Sequence, residues 1–122
     1  MLFSIVTITR NNLEGLRRTR ESLLAQDFDD CEWLVIDGDS NDGTKVFLEE
    51  CDASFISEPD RGLYDAMNKG IDRARGDYLF FLNAGDVFAE GGVLKTVADQ
   101  IAMADNPPHF IYGDSLEERP GQ

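Results

Sequence analysis

Residues 62–86 read GLYDAMNKGIDRARGDYLFFLNAGD, and a change of period inside them decides the fold. Leu63, Met67 and Ile71 fall at i, i+4 and i+8, with Ala66, Gly70 and Ala74 alongside, which predicts a helix. Gly76 is placed to cap it. Tyr78 to Leu82 is then an unbroken run of large apolar residues, the signature of a buried strand rather than a half-exposed one. Asn83-Ala84-Gly85-Asp86 follows at once, a polar loop at the strand's carboxyl end.

The same alternation extends in both directions. Upstream, Phe3 to Ile8 is a β-rich run that enters Thr9-Arg10-Asn11-Asn12. Asn11 with Glu14 three residues on resembles a capping box, and Leu13, Leu16, Leu23 and Leu24 give the next helix an apolar face. Trp33 to Ile36 reads as a second buried strand, Thr44 to Cys51 as a short helix, and Ser54 to Ser57 as a weak strand. Pro59 keeps Glu58-Pro59-Asp60-Arg61-Gly62 in a loop. Downstream, Val93, Leu94, Val97 and Ile101 mark a fourth helix, Pro107 and Pro108 end its connection, and Phe110 to Tyr112 form a last short strand. Strands alternating with helices predict an α/β domain, a largely parallel sheet with helices on both faces.

Composition narrows the function. The 24 acidic and 11 basic residues leave a net charge of −13, which repels phosphate backbones and argues against nucleic acid as a partner. An anionic ligand needs local help: a divalent cation held by carboxylates, a helix N-terminus, or a placed arginine. No apolar run approaches the ~20 residues of a membrane span. The opening MLFSIVTITRNN lacks the basic start and cleavage site of a signal peptide, so a cytoplasmic address is expected, the inner face of the membrane included. Cys31 and Cys51 have no metal-ligand spacing and read as free thiols.

Ligands of open parallel sheets bind outside the carboxyl ends of the strands. The loops there carry Thr9, Arg10 and Asn11 after the first strand, and Asp37 and Asp39 after the second. The third is followed by Asp60 and Arg61, the fourth by Asn83 and Asp86. Each alone is an ordinary turn or capping residue; their convergence on one edge is what suggests a site. Thr9-Arg10-Asn11-Asn12 matches neither a dinucleotide fingerprint nor a phosphate loop. A hard cation, Mg²⁺ or Mn²⁺, accepts one or two carboxylates and completes its shell with phosphate and water, which Asp86 suits beside a nucleoside diphosphate. A phosphorylation-type signalling domain would want an aspartate ending the third strand and a lysine ending the fifth. Ser57-Glu58-Pro59 and Tyr112-Gly113-Asp114 stand there instead.

FSIVTITRNN, LVIDGDSNDGT and GLYDAMNKGIDRARGDYLFFLNAGD together resemble the inverting glycosyltransferases of family 2, which have the GT-A (Rossmann-like) fold, and most of all those that build bacterial surface polysaccharides. The resemblance implies a nucleoside-diphosphate sugar as donor and a saccharide or lipid-linked acceptor. It puts Thr9 and Arg10 on the nucleotide, Asp37 and Asp39 beside the base, Arg61 near the diphosphate, and Asn83 with Asp86 in the place of the Asp-x-Asp-type motif, Asp86 holding Mg²⁺ or Mn²⁺. Asn83 and Gly85 replace carboxylates common in that motif, and Gly38 replaces a frequent second aspartate. Residues 1–122 then form the nucleotide-sugar-binding portion, truncated before the acceptor-binding half, with the general base expected beyond residue 122. Asp114, Glu117 and Glu118 match no base motif. His109, Trp33, Tyr78 and Phe80 read as structural, and Tyr64 and Asn68 as residues that could approach the donor. The rival reading is a non-catalytic donor-binding or assembly module, whose exposed sheet edge favours a homodimer.

Overall fold

The computed structural model describes residues 1–51 and 53–103, and residues 110–112 as backbone. Five strands form one sheet in the order β3-β2-β1-β4-β5, every pair parallel. They are β1 (Phe3–Thr9), β2 (Cys31–Asp37), β3 (Ser54–Ser57), β4 (Tyr78–Phe81) and β5 (Phe110–Tyr112). Helices α1 (Leu13–Leu24), α2 (Thr44–Glu50), α3 (Leu63–Arg73) and α4 (Val93–Met103) make the connections. The predicted α/β architecture is the one observed. Pro107, Pro108, His109, Asp114, Glu117 and Glu118 lie outside the described residues.

Register explains why the central strands are apolar throughout. Ile5 pairs with Trp33 and Phe80, whereas Val6 pairs with Leu34 and Phe81, so successive residues feed opposite faces. On one face Phe3, Ile5, Phe80 and Leu82 pack with Phe88 and with Val93, Leu94 and Val97 of α4. Leu16 of α1, Val35 and Leu48 of α2 continue that layer. On the other face Val6, Leu34, Ile36 and Phe81 meet Ala66 and Met67 of α3. Both faces are therefore covered, as a parallel sheet requires.

Local readings need correction at three points. Asn12, not Asn11, caps α1, its side chain accepting the Gly15 N–H at 3.1 Å; Asn11 instead turns to φ +48° and accepts from Asn41 N–H at 2.8 Å. Leu24 is exposed, and the buried stripe of α1 runs through Gly15, Leu16 and Thr19. In α3 the small stripe is the buried one, Ala66 and Gly70, while Leu63 and Ile71 face out. A Cβ on Gly70 would come within 2.6 Å of Val6 Cγ1, so the glycine lets the helix sit directly on β1. Finally, Ala74 caps α3; Gly76 is needed further on, because a Cβ there would stand 2.6 Å from the β1 backbone at Phe3 and Ser4.

The amino ends of the strands are locked by a polar clamp. Glu32 accepts from the Ser4 hydroxyl at 2.6 Å, from Arg75 N–H at 2.7 Å, and from the Arg75 guanidinium at 3.2 Å. Burial alone would raise the Glu32 pKa; the Ser4 and Arg75 donors outweigh it and hold the carboxyl below the usual glutamate value. A depressed carboxyl stabilises the fold above its unfolded pKa and loses that contribution as pH falls through the folded value. Acid titration of the wild type, followed by circular dichroism, should therefore show stability falling below about pH 4, with Glu32→Gln flattening that fall. Equal slopes would remove Glu32 from the acid response.

Candidate donor site

The carboxyl edge of the sheet is where the loops are tied to one another. Glycine 38 donates its N–H to the Thr9 carbonyl at 2.9 Å, Glu58 to the Asp37 carbonyl at 3.0 Å, and Ala84 to the Ile8 carbonyl at 3.0 Å. These bonds carry the parallel ladder past the ends of β2, β3 and β4. The loops after four consecutive strands in space, β3, β2, β1 and β4, therefore share one edge.

Thr9 ends β1, and its side chain is the anomaly of the site. Threonine 9 is 3% exposed, and its Oγ1 has no hydrogen-bond partner among the described residues. Buried hydroxyls are usually satisfied, and leaving one unpaired costs about 1–3 kcal/mol. Its partner in register, Asp37, is the opposite case. Asp37 is fully buried; its carboxylate accepts the Ser40 N–H at 3.1 Å, the Ser57 hydroxyl at 2.7 Å and the Ser40 hydroxyl. It braces the ends of β2 and β3 and the turn that follows.

That turn is laced to the start of α1. Ser40 Oγ accepts from Asn11 N–H at 2.7 Å, and Asp42 accepts from Leu13 N–H at 3.0 Å and from Thr44 N–H at 3.2 Å. One carboxylate thus serves the first residue of two helices, and the Thr44 hydroxyl above all holds the Asp42 carboxyl below its usual range. Asp39 is exposed with φ +62°, and Arg10 is exposed.

In the β3–α3 loop, Lys69 of α3 gathers Asp60 at 3.0 Å, Glu58 at 3.3 Å and Asp65 at 3.5 Å, and donates to the Pro59 carbonyl at 3.0 Å. Its bond to Asp60 is the main reason that its pKa rises. Arg61 is exposed, with its N–H on Asp65 at 2.9 Å. Tyr64 and Asn68 are exposed on the helix beyond.

The β4–α4 loop is held from α1. The buried Thr19 hydroxyl donates to the Asp86 carbonyl at 2.8 Å and accepts the Gly85 N–H at 3.0 Å. Asp86 N–H closes on the Asn83 carbonyl at 2.9 Å, and Asn12 Nδ2 reaches the Ala84 carbonyl at 3.3 Å. Gly85 adopts φ +98°, a conformation costly for any residue with a Cβ, which accounts physically for a glycine where a carboxylate is common. Asn83 is exposed and the Asp86 side chain half-buried. Among the described residues, no three His, Cys, Asp or Glu side chains are grouped to hold a metal ion.

This arrangement has a counterpart among known proteins. A family model described as glycosyl transferase family 2 matches residues 4–115. The chain belongs to glycosyl transferase family 2. Among its family relatives, an uncharacterized glycosyltransferase of Mycobacterium tuberculosis is 38% identical over 122 residues, spanning 97% of this chain and 46% of the relative. A PGL/p-HBAD biosynthesis glycosyltransferase of the same species is 35% identical over 121 residues, with 94% and 47% covered. The chain thus spans about half the length of these curated relatives. The crystal structure of Staphylococcus aureus TarS 1–349 in complex with UDP-GlcNAc superimposes with a TM-score of 0.76 at 25% identity, over 84% of this chain and 31% of that one. The sheet described above is the GT-A-like, Rossmann-like fold of this family.

Several residues that build the site carried little signal in the sequence. Thr19 lies at i+3 from Leu16 and i−4 from Leu23, so a polar side chain on the apolar stripe of α1 was its visible trace. Lys69, Ser40, Ser57 and Asp42 had none beyond ordinary surface and turn chemistry.

Proposed function

We propose that this chain supplies the donor site of an inverting glycosyltransferase that acts in bacterial polysaccharide or glycoconjugate synthesis, with residues 1–122 as the nucleotide-sugar-binding portion. The observation that carries the reading is the unpartnered Thr9 Oγ1 at the end of β1, a buried polar atom that a bound nucleotide would satisfy. Family membership, a relative named for PGL/p-HBAD biosynthesis and a related fold crystallised with UDP-GlcNAc support it.

The residues then take distinct roles. Thr9 and Arg10 meet the nucleotide, with Asp37 and Asp39 on the base side and Asp37 bracing the turn from within. Arg61 contributes positive charge at the diphosphate, and Asn83 borders the donor. Asp86 is the ligand for Mg²⁺ or Mn²⁺. One protein carboxylate suits such a cation, because these ions keep much of their shell in phosphate oxygens and water. When bound, the cation supplies Lewis-acid stabilisation of the leaving diphosphate. The acceptor oxygen, from a saccharide or lipid-linked hydroxyl, gives its proton to a general base outside this chain. It forms a bond to the anomeric carbon as the bond to the diphosphate breaks, with inversion. Among the described residues no helix is long and apolar enough to cross a membrane. The reading takes the reaction to be cytoplasmic, the inner face of the membrane included.

Calorimetry with UDP and GDP, each with Mn²⁺ and then with excess chelator, tests the reading, and Thr9→Val sharpens it. An unsatisfied hydroxyl contributes nothing to folding, so Thr9→Val should melt no lower than the wild type. Its nucleotide affinity should fall about 5–15-fold, the worth of one hydrogen bond. A wild-type chain that binds neither nucleotide would sink the donor reading.

A further inference from the structure

The space that a side chain at position 38 would enter is already filled. A Cβ on Gly38 would lie 2.9 Å from Asp60 Oδ2, and 3.5 Å from Cβ and Cδ of Arg10. Asp60 belongs to a different loop, the one after β3. Its side chain is 16% exposed, and its other oxygen, Oδ1, takes the Lys69 ammonium at 3.0 Å. Lys69 draws residues 58–60 onto α3 through Glu58, Asp60 and the Pro59 carbonyl, and Asp65 of α3 holds the Arg61 N–H. A carboxylate is thereby carried across to the carboxyl end of β2, over Gly38, whose own N–H is bonded to the Thr9 carbonyl.

From this geometry we infer that Asp60 is the residue that selects the nucleobase, a carboxylate delivered from the β3–α3 loop to the place that Gly38 leaves open. The inference rests on the donor reading given above. An ionised carboxylate only accepts hydrogen bonds. It therefore favours a base that presents a ring N–H on its pairing edge, uracil at N3 or guanine at N1, where the exocyclic N2 amino group adds a second donor. It disfavours cytosine and adenine, whose corresponding ring nitrogens carry lone pairs. Lys69 acts as a positioning residue: its ammonium fixes Oδ1 and leaves Oδ2 over Gly38.

The test is calorimetric binding of UDP, GDP, CDP and ADP, with Mn²⁺, to the wild type, Asp60→Ala, Asp60→Asn, Gly38→Asp and the double variant Gly38→Asp/Asp60→Ala, with thermal melts alongside. The wild type should bind UDP or GDP about 10-fold or more tighter than CDP and ADP, as expected for one charge-assisted hydrogen bond. Asp60→Ala should lose that margin, and Gly38→Asp should bind poorly because two carboxylates then compete for one space. The double variant should recover most of the affinity and the preference, which a merely structural role for Asp60 would not produce. Asp60→Asn keeps the side chain's size, so it reports even if the alanine variant does not fold, and it should narrow the preference by admitting CDP. Unchanged affinity and base preference in Asp60→Asn, or no recovery in a folded double variant, would overturn the inference while leaving the donor reading intact. A wild type that binds none of the four nucleotides would overturn both.

Discussion

Asp86→Ala is expected to abolish the Mn²⁺-dependent part of nucleoside-diphosphate binding, lowering affinity about 100-fold, since loss of even an outer-shell group at a metal site costs about 10–100-fold. The loop itself should survive, because its shape is set by backbone bonds. Asp86 N–H closes on the Asn83 carbonyl, and the Asp86 carbonyl takes the Thr19 hydroxyl. Alanine keeps both groups. Calorimetry with Mn²⁺ and with chelator then separates two contributions: the metal-dependent increment disappears, and the chelator-resistant remainder matches that of the wild type. A thermal melt on the same sample distinguishes loss of ligand from loss of fold. If the Mn²⁺ increment persists in a folded Asp86→Ala, the cation is held elsewhere and Asp86 has another task.

The order and type of the elements were legible in the sequence because the central strands β1, β2 and β4 are covered on both faces. Burial of that kind removes polar residues from whole segments, as in Trp33–Ile36 and in Tyr78–Leu82, and the polar loops stand out by contrast. Convergence of the loops followed from parallel topology alone. What stayed hidden depends on close approach, which leaves no periodicity. Nothing local distinguishes Asn11 from Asn12 as a cap; the choice is made by Asn41, thirty positions away, which donates to Asn11. Periodicity gives the helix of α3 but not its buried face, because packing against Val6 selects the smallest residue. Asp60 looked like a turn residue until the space above Gly38 was known. The clamp of Ser4, Glu32 and Arg75 joins three segments that no sequence pattern connects.

Thr19→Val should show how far the Asn83–Asp86 loop depends on α1. Valine matches threonine in shape, so the packing of the buried stripe is kept and only the hydroxyl is removed. That hydroxyl stands between two loop groups, donating to the Asp86 carbonyl and accepting from the Gly85 N–H, and both would lose this bond in a part-buried setting. The expected cost is about 1–3 kcal/mol, at about 4–8 °C in melting temperature per kcal/mol for a small domain. Hydrogen exchange should quicken in residues 83–88 and stay unchanged in β1 and β2, because the clasp is local. Mn²⁺-dependent nucleotide binding should weaken about 10-fold, as for loss of a group that orients a metal ligand, and Thr19→Ser should restore both stability and binding, since serine returns the hydroxyl. A Thr19→Val chain that melts and binds like the wild type would mean that Gly85 and the short Asn83–Asp86 turn hold the loop unaided, and that Thr19 is on the apolar stripe for packing alone.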